Sequence, residues 1–230
     1  MPELKDDLPQ LIRSLHDPAC YDHAAGPVRV IETHISWVLL TGEFAYKIKK
    51  PLDLGFLDFS SLSKRLHACC DEVQLNRRLA PAIYLDVVPI TGTPAAPRVN
   101  GSGETFEYAV QMRQFPPDAT LDRLDAEGGL TVHHVETIAA TLARFHREAC
   151  ARATADSPWG SPEKIWQPVA QNFAQIAPRL DDPADRQGLD ALQRWSEVEH
   201  ARLAPLMAAR KRDGFVRECH GDLHLGNLAW

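Results

Sequence analysis

The feature that most limits the possible folds is a set of three β-rich runs placed close together. They are Val28-Arg29-Val30-Ile31-Glu32-Thr33-His34, Ile35-Ser36-Trp37-Val38-Leu39-Leu40 and Phe44-Ala45-Tyr46-Lys47-Ile48-Lys49, with Thr41-Gly42-Glu43 as the turn between the last two. Runs of this kind separated by turn residues read as an antiparallel meander. Two further strands are expected, Tyr84-Leu85-Asp86-Val87-Val88-Pro89-Ile90 and a run from Phe106 to Phe115 that stops at Pro116-Pro117. The residues between them, 91–104, are rich in Gly, Pro and Asn and read as a long hairpin connection. Residues 62–79 carry Leu66, Val73, Leu75 and Leu79 on a partly apolar helical face, with Ser60 or Ser61 placed to cap it. A shorter helix is expected over residues 7–16, where Leu8, Leu11, Ile12 and Leu15 share a face and Pro18 ends the run.

From Thr120 onward the pattern turns helical. One or two turns cover residues 120–124. Thr131 can cap a helix over residues 131–150 with Val132, Val135, Ile138, Ala139, Leu142 and Phe145 on its apolar face. His146 follows Phe145 and reads as a core or seam histidine. Ser161-Pro162-Glu163 is a helix start, with Pro at the first helical position. A longer helix over residues 183–212 ends at Gly214. The expected fold class is therefore α+β: a first lobe of antiparallel sheet and helix over residues 1–115, then a mostly helical second lobe over residues 116–230.

Composition narrows the function classes. A net charge of −6 argues against a nucleic-acid-binding module, which carries a basic patch. No apolar run is long enough to span a bilayer, and residues 1–7 lack the apolar core of a signal peptide. The five cysteines are odd in number and form no C-x-x-C pair, which fits reduced thiols and a cytoplasmic location.

The chemistry-bearing stretch is Cys219-His220-Gly221-Asp222-Leu223-His224-Leu225-Gly226-Asn227-Leu228. Residues 215–219 read as a short strand before it, and Leu228 begins another after it. A loop held between strands is a rigid mount for reactive groups. Asp222 and Asn227 stand at the spacing at which a phosphotransferase loop sets a proton-accepting Asp beside a magnesium-binding Asn. The alternation His220, Asp222, His224 leaves a second reading open, a divalent-metal site of two imidazoles and a carboxylate serving a hydrolase. An ordinary turn with a buried histidine is the third.

His220-Gly221-Asp222 followed by Asn227 resembles the H-G-D-x-x-x-x-N loop of the aminoglycoside phosphotransferase family, which is related in fold to protein kinases. Gly221 stands where protein kinases carry Arg. The wider phrase from Arg217 to Asn227 is similar to a bacterial branch in which such a domain often precedes a P-loop ATPase domain. The resemblance implies a two-lobe, protein-kinase-like fold, ATP and Mg2+ as cofactors, and a small-molecule hydroxyl (aminoglycoside-like, sugar or other polyol) as acceptor. It gives Asp222 the role of base and Asn227 that of metal ligand, with His220 and His224 supporting the loop.

Phe44-Ala45-Tyr46-Lys47 resembles the V-A-I-K strand of kinases, which makes Lys47 the phosphate-binding lysine; Lys49 shares its strand parity and stays open as an alternative. Glu72 is then the helix acid that orients the lysine, with Asp71 its rival. Backbone groups of Gln111, Met112 and Arg113, through to Gln114, would meet the adenine edge. No G-x-G-x-x-G precedes the lysine, so Thr33 and Ser36 are the candidates for phosphate cover. In the helical insert Glu163, Trp159 and Trp166 are candidates for acceptor contact. No Asp follows Asn227, and family members carry a second magnesium-binding Asp there, so the chain is expected to be a truncated piece of a longer protein with little turnover of its own. A non-catalytic nucleotide-binding scaffold serving a larger protein is the alternative.

Overall fold

The computed structural model describes residues 8–230; the expected helix start at Asp7 and the N-terminal residues 1–7 lie outside the described residues. The chain divides into two compact units, one of Met1–Leu130 with Asp222–Trp230 and one of Thr131–Gly221. The architecture is α+β, with an antiparallel sheet in the first unit and helices making up the second. Among the described residues no helix is long and apolar enough to cross a membrane.

The sheet has six strands: β1 (Arg29–Glu32), β2 (Ser36–Leu40), β3 (Phe44–Lys49), β4 (Tyr84–Thr93), β5 (Ala96–Val99) and β6 (Thr105–Arg113). Their spatial order is β1-β2-β3-β6-β4-β5 and every pairing is antiparallel. The meander therefore forms as expected, and β6 then enters between β3 and β4. Residues 91–104 are not the long connection expected. β4 runs on to Thr93 and folds straight back as β5, pairing Ile90 with Val99 and Thr91 with Arg98. Gly92 (φ 87°) and Asn100 (φ 56°) take the left-handed conformations that this tight path needs, and the fully buried Ile90 anchors the pair. Glycine and proline here build a hairpin rather than a loop.

Side chains alternate across the sheet. Tyr46 and Ile48 of β3 join Trp37, Leu39, Val88, Ile90 and Ala109 in a core that also takes in Ile12 and Leu15 around helix α1 (Gln10–Ser14). The opposite face carries helix α2 (Leu62–Asn76), which buries Cys69 and Val73 against Val110. Ser61 is the N-cap of α2; its Oγ accepts the Lys64 N–H at 3.3 Å. The first turns of α2 are also fastened by charge. Arg65 Nε donates to both Glu107 carboxylate oxygens at 3.0 and 2.9 Å, and Arg65 Nη1 donates to the Phe59 carbonyl at 3.0 Å. Both side chains are about nine-tenths buried.

A short helix α3 (Leu121–Ala126) follows the sheet. The last residues of the chain return to its start: the Leu121 N–H donates to the Leu228 carbonyl at 2.9 Å and the Trp230 N–H to the Ala119 carbonyl at 2.8 Å. In the second unit lie α4 (Val132–Glu148), α5 (Pro162–Ile176) and α6 (Pro183–Arg212). Thr131, Ser161 and Asp182 cap them, and Gly214 (φ 74°) follows the end of α6. Trp166 of α5 packs on His200 of α6 with ring centres 5.0 Å apart, and His200 Nε2 lies 2.8 Å from the Pro162 carbonyl. The apolar face expected on α4 is only partly covered. Phe145 is buried, but Val132 and Val135 stay exposed.

The Arg65–Glu107 pair gives a direct test of how α2 is held. Removing one partner of a buried ion pair leaves an uncompensated charge, at a cost of about 3–5 kcal/mol. Arg65→Met is expected to lower the urea-derived unfolding free energy by that amount, and Arg65→Met with Glu107→Leu to recover much of it. A single-variant loss below about 1 kcal/mol would show that the pair does not anchor the helix.

Candidate active site

β3 and α2 bring two lysines and a glutamate together in the first unit. Lys47 and Lys49 lie two residues apart on β3, so both side chains stand on the face that α2 covers. Glu72 faces them from the fourth turn of α2. Lys47 Nζ donates to Glu72 Oε1 at 2.7 Å, and Lys49 Nζ donates to Glu72 Oε2. The two lysines thus share one carboxylate, an oxygen each. They differ in exposure: the Lys49 side chain is 6% accessible and lies 5.3 Å from the centre of the Phe59 ring, whereas that of Lys47 is 26% accessible. Burial pushes the Glu72 carboxyl up, but the charges of Lys47 and Lys49 and their hydrogen bonds outweigh it and hold the group below its ordinary range. Asp71, the rival acid, points away and makes an exposed contact with His67 at 3.6 Å.

The neighbouring strand is β6. Gln111 pairs with Tyr46 of β3 and Asp86 of β4, and Met112 with Ala45 and Tyr84. The Arg113 N–H donates to the Ile83 carbonyl at 2.7 Å and the Gln114 N–H to the Glu43 carbonyl at 3.0 Å. The backbone N–H groups of Arg113 and Gln114 are thus committed inside the protein, while Gln111 and Met112 lie within the ladder. Backbone leaves the sheet only beyond Gln114. Thr33 is also occupied, because its hydroxyl donates to the Ser36 carbonyl at 3.0 Å and accepts the Ser36 N–H at 2.9 Å, which closes the β1–β2 turn. Ser36 Oγ is buried and makes no hydrogen bond among the described residues.

The loop belongs to the same unit from Asp222 onward. Gly221 enters it with φ 81°, a conformation that a residue with a Cβ resists. Residues 225–227 then form a single 3-10 turn, closed at its start by the Gly226 N–H donating to His224 Nδ1 at 3.2 Å. This turn carries Asn227 back to Asp222. Asn227 Nδ2 donates to the Asp222 carbonyl at 2.8 Å and to Asp222 Oδ2 at 3.1 Å. With its amide nitrogen so engaged, Asn227 presents Oδ1 as its remaining polar atom. The Asp222 side chain is 80% accessible, and His224 Nε2 lies 3.9 Å from its Oδ2. Two hard oxygen donors beside one another suit a magnesium ion, which takes one or two protein oxygens and completes its shell with water and phosphate. His220 lies half-buried at the end of the other unit. Among the described residues the metal-capable cluster is His146, Cys150 and Cys219, and not His220, Asp222 and His224.

In the helical unit, Glu163 sits in the first turn of α5, where its own backbone N–H and the Ser161 hydroxyl hold the carboxyl below its usual range. Lys164 Nζ stands 5.1 Å from the Trp159 ring centre. Lys49 is the residue whose part sequence reasoning left undecided. Strand parity was the available signal, and it was sound: both lysines reach the same acid.

Residues 65–230 match the profile of the Phosphotransferase enzyme family. The chain is also 28% identical over 198 residues to an uncharacterized protein of Mycobacterium bovis and to uncharacterized proteins from two strains of Mycobacterium tuberculosis. The alignment covers 85% of this chain but 38% of each relative, so the chain spans well under half the length of the curated relatives it matches. No solved structure matches it significantly.

The Glu72 ion pairs predict a pH dependence of stability. Because the folded carboxyl titrates below the unfolded one, the pairs stabilise the protein fully above the unfolded value of about 4.3, and that stability is lost as pH falls through the lower folded value. Urea unfolding at a series of pH values is expected to show a steeper loss below about pH 4.3 in the parent than in Glu72→Gln. Parallel curves would mean that the carboxylate is not holding the lysines.

Proposed function

Because the chain belongs to the Phosphotransferase enzyme family, we propose that it is the nucleotide- and acceptor-site portion of an ATP- and magnesium-dependent kinase that phosphorylates a hydroxyl of a small molecule. The observation that carries this reading is the Lys47–Glu72 pair, formed in the same unit as an Asp222–Asn227 loop whose two side chains are hydrogen-bonded to each other. Glu72 fixes Lys47 by salt bridge, and the greater exposure of Lys47 over Lys49 makes it the lysine able to meet phosphate oxygens. Lys49 balances the second carboxylate oxygen from behind. Asp222 accepts the proton of the acceptor hydroxyl. Its high exposure leaves room for that hydroxyl to approach.

Asn227 Oδ1 is the protein donor for magnesium, with water and phosphate oxygens completing the shell. When bound, the ion neutralises phosphate charge that Lys47 alone cannot balance. Ala45, the small residue of β3, is proposed to face the adenine ring, and the backbone where β6 ends, after Gln114, to meet its edge. Catalysis in this scheme is positioning and charge stabilisation. A sugar, amino alcohol or other polyol fits as well as an aminoglycoside. A P-loop ATPase domain elsewhere in a longer protein, and a cytoplasmic setting in which ATP and reduced thiols coexist, complete the proposal; none of the five cysteines is in a disulfide.

The test is transfer of labelled phosphate from ATP to a panel of polyols, amino alcohols and aminoglycosides. Asp222→Asn is expected to lower turnover by at least about 10²-fold while ATP affinity stays within about twofold. Unchanged turnover would remove Asp222 from its role. Saturable ATP binding with no acceptor phosphorylated by the parent would favour a nucleotide-binding scaffold instead.

A further inference from the structure

One cluster of reactive side chains has no part in the scheme above, and it lies wholly within the helical unit. α4 ends at Glu148, where the Ala149 and Cys150 N–H groups both donate to the Phe145 carbonyl at 3.0 and 3.1 Å. The chain then runs extended beside residues 216–218. The Ala153 N–H donates to the Val216 carbonyl at 3.0 Å, the Glu218 N–H donates to the Ala151 carbonyl at 2.9 Å, and Arg152 faces Arg217 in an antiparallel bridge. The same register carried two residues outward sets Cys150 opposite Cys219. Residues opposed in this way hold their Cβ atoms about 4.5–5.5 Å apart. His146 stands four residues before Cys150, in the last turn of α4. The result is that an imidazole nitrogen of His146 and the Sγ atoms of Cys150 and Cys219 all lie within 4.8 Å of one another.

We propose that His146, Cys150 and Cys219 form a binding site for a thiophilic divalent cation of the zinc class. Zinc–sulfur bonds of about 2.3 Å and zinc–nitrogen bonds of about 2.0–2.1 Å separate tetrahedral ligand atoms by roughly 3.5–3.8 Å, so small side-chain movements close the site. Two thiolates and an imidazole select zinc over magnesium, the reverse of the oxygen donors Asp222 and Asn227. Binding releases the two thiol protons to solvent, and the fourth position is left to water. His146 and Cys150 are half-buried and Cys219 is exposed, which leaves the ion able to exchange. The site ties the end of α4 to Cys219, three residues before Asp222 in the chain. The site does not depend on the phosphotransferase reading and stands or falls separately.

Cobalt(II) titration of the reduced 230-residue chain tests it. One equivalent is expected to give thiolate-to-cobalt charge-transfer absorption and the intense visible bands of a tetrahedral centre, both displaced by zinc. Cys219→Ser and His146→Ala should each weaken cobalt binding at least tenfold, while Cys70→Ser, an exposed cysteine on α2, leaves it unchanged. Alkylation mapping needs no variant: in the unaltered chain zinc should slow modification of Cys150 and Cys219 but not of Cys70. A reduced chain that shows no thiolate–cobalt bands, or zinc that leaves Cys150 and Cys219 as reactive as before, overturns the proposal. So does a Cys150–Cys219 disulfide formed in air by a chain whose reduced form takes up no cobalt.

Discussion

The carboxylate of Glu72 between two ammonium groups is the contact on which the first unit depends. Lys47 and Lys49 project from one strand onto one face, and two like charges so placed repel unless an acid lies between them. Glu72 is that acid, and it reaches them only if α2 lies across the sheet in the observed register. The same contact that permits a lysine to be nearly buried therefore also fixes the helix. The Arg65–Glu107 pair secures the first turns of α2, and Cys69 and Val73 fill the space between the two pairs. A helix held at both ends by charge and in the middle by apolar contact has little freedom to turn, so the Lys47 ammonium is held in one place.

The Asp222 loop is positioned by backbone. Residues 228–230 return to pair with residues 119–121, and one turn of 3-10 helix spans the gap between Asp222 and Asn227. His224 caps that turn through a ring nitrogen, and Gly221 supplies the left-handed entry. Each device sets the direction of a side chain that is itself solvent-exposed, which is how a surface loop keeps a definite geometry.

The strands of the meander and the Ser61, Thr131 and Ser161 caps were legible because they rest on local rules, alternation and side-chain hydrogen bonding to the first turn. β5 was not, since Ala-Pro-Arg-Val has weak strand propensity and pairs only because the buried Ile90 and Val99 meet across a tight turn. Glu72 over Asp71 could be argued only weakly from the sequence. The inward face of α2 is Arg65, Cys69, Glu72 and Val73, two of them, Arg65 and Glu72, residues that a hydropathy pattern places outside. Burial of those groups follows from their partners on β3 and β6, which lie far away in sequence. For the same reason His146, Cys150 and Cys219 carried no motif: His146 and Cys150 are close in sequence, but Cys219 joins them only through the register between residues 151–153 and 216–218.

The most direct test of the account is calorimetric titration of ATP into the chain with and without magnesium, beside Lys47→Ala. The account predicts saturable binding, tighter with magnesium and weakened at least tenfold by loss of Lys47. ATP binding of equal strength in the parent and in Lys47→Ala, or no saturable binding to the folded parent, would contradict a phosphate site built on the Lys47–Glu72 pair.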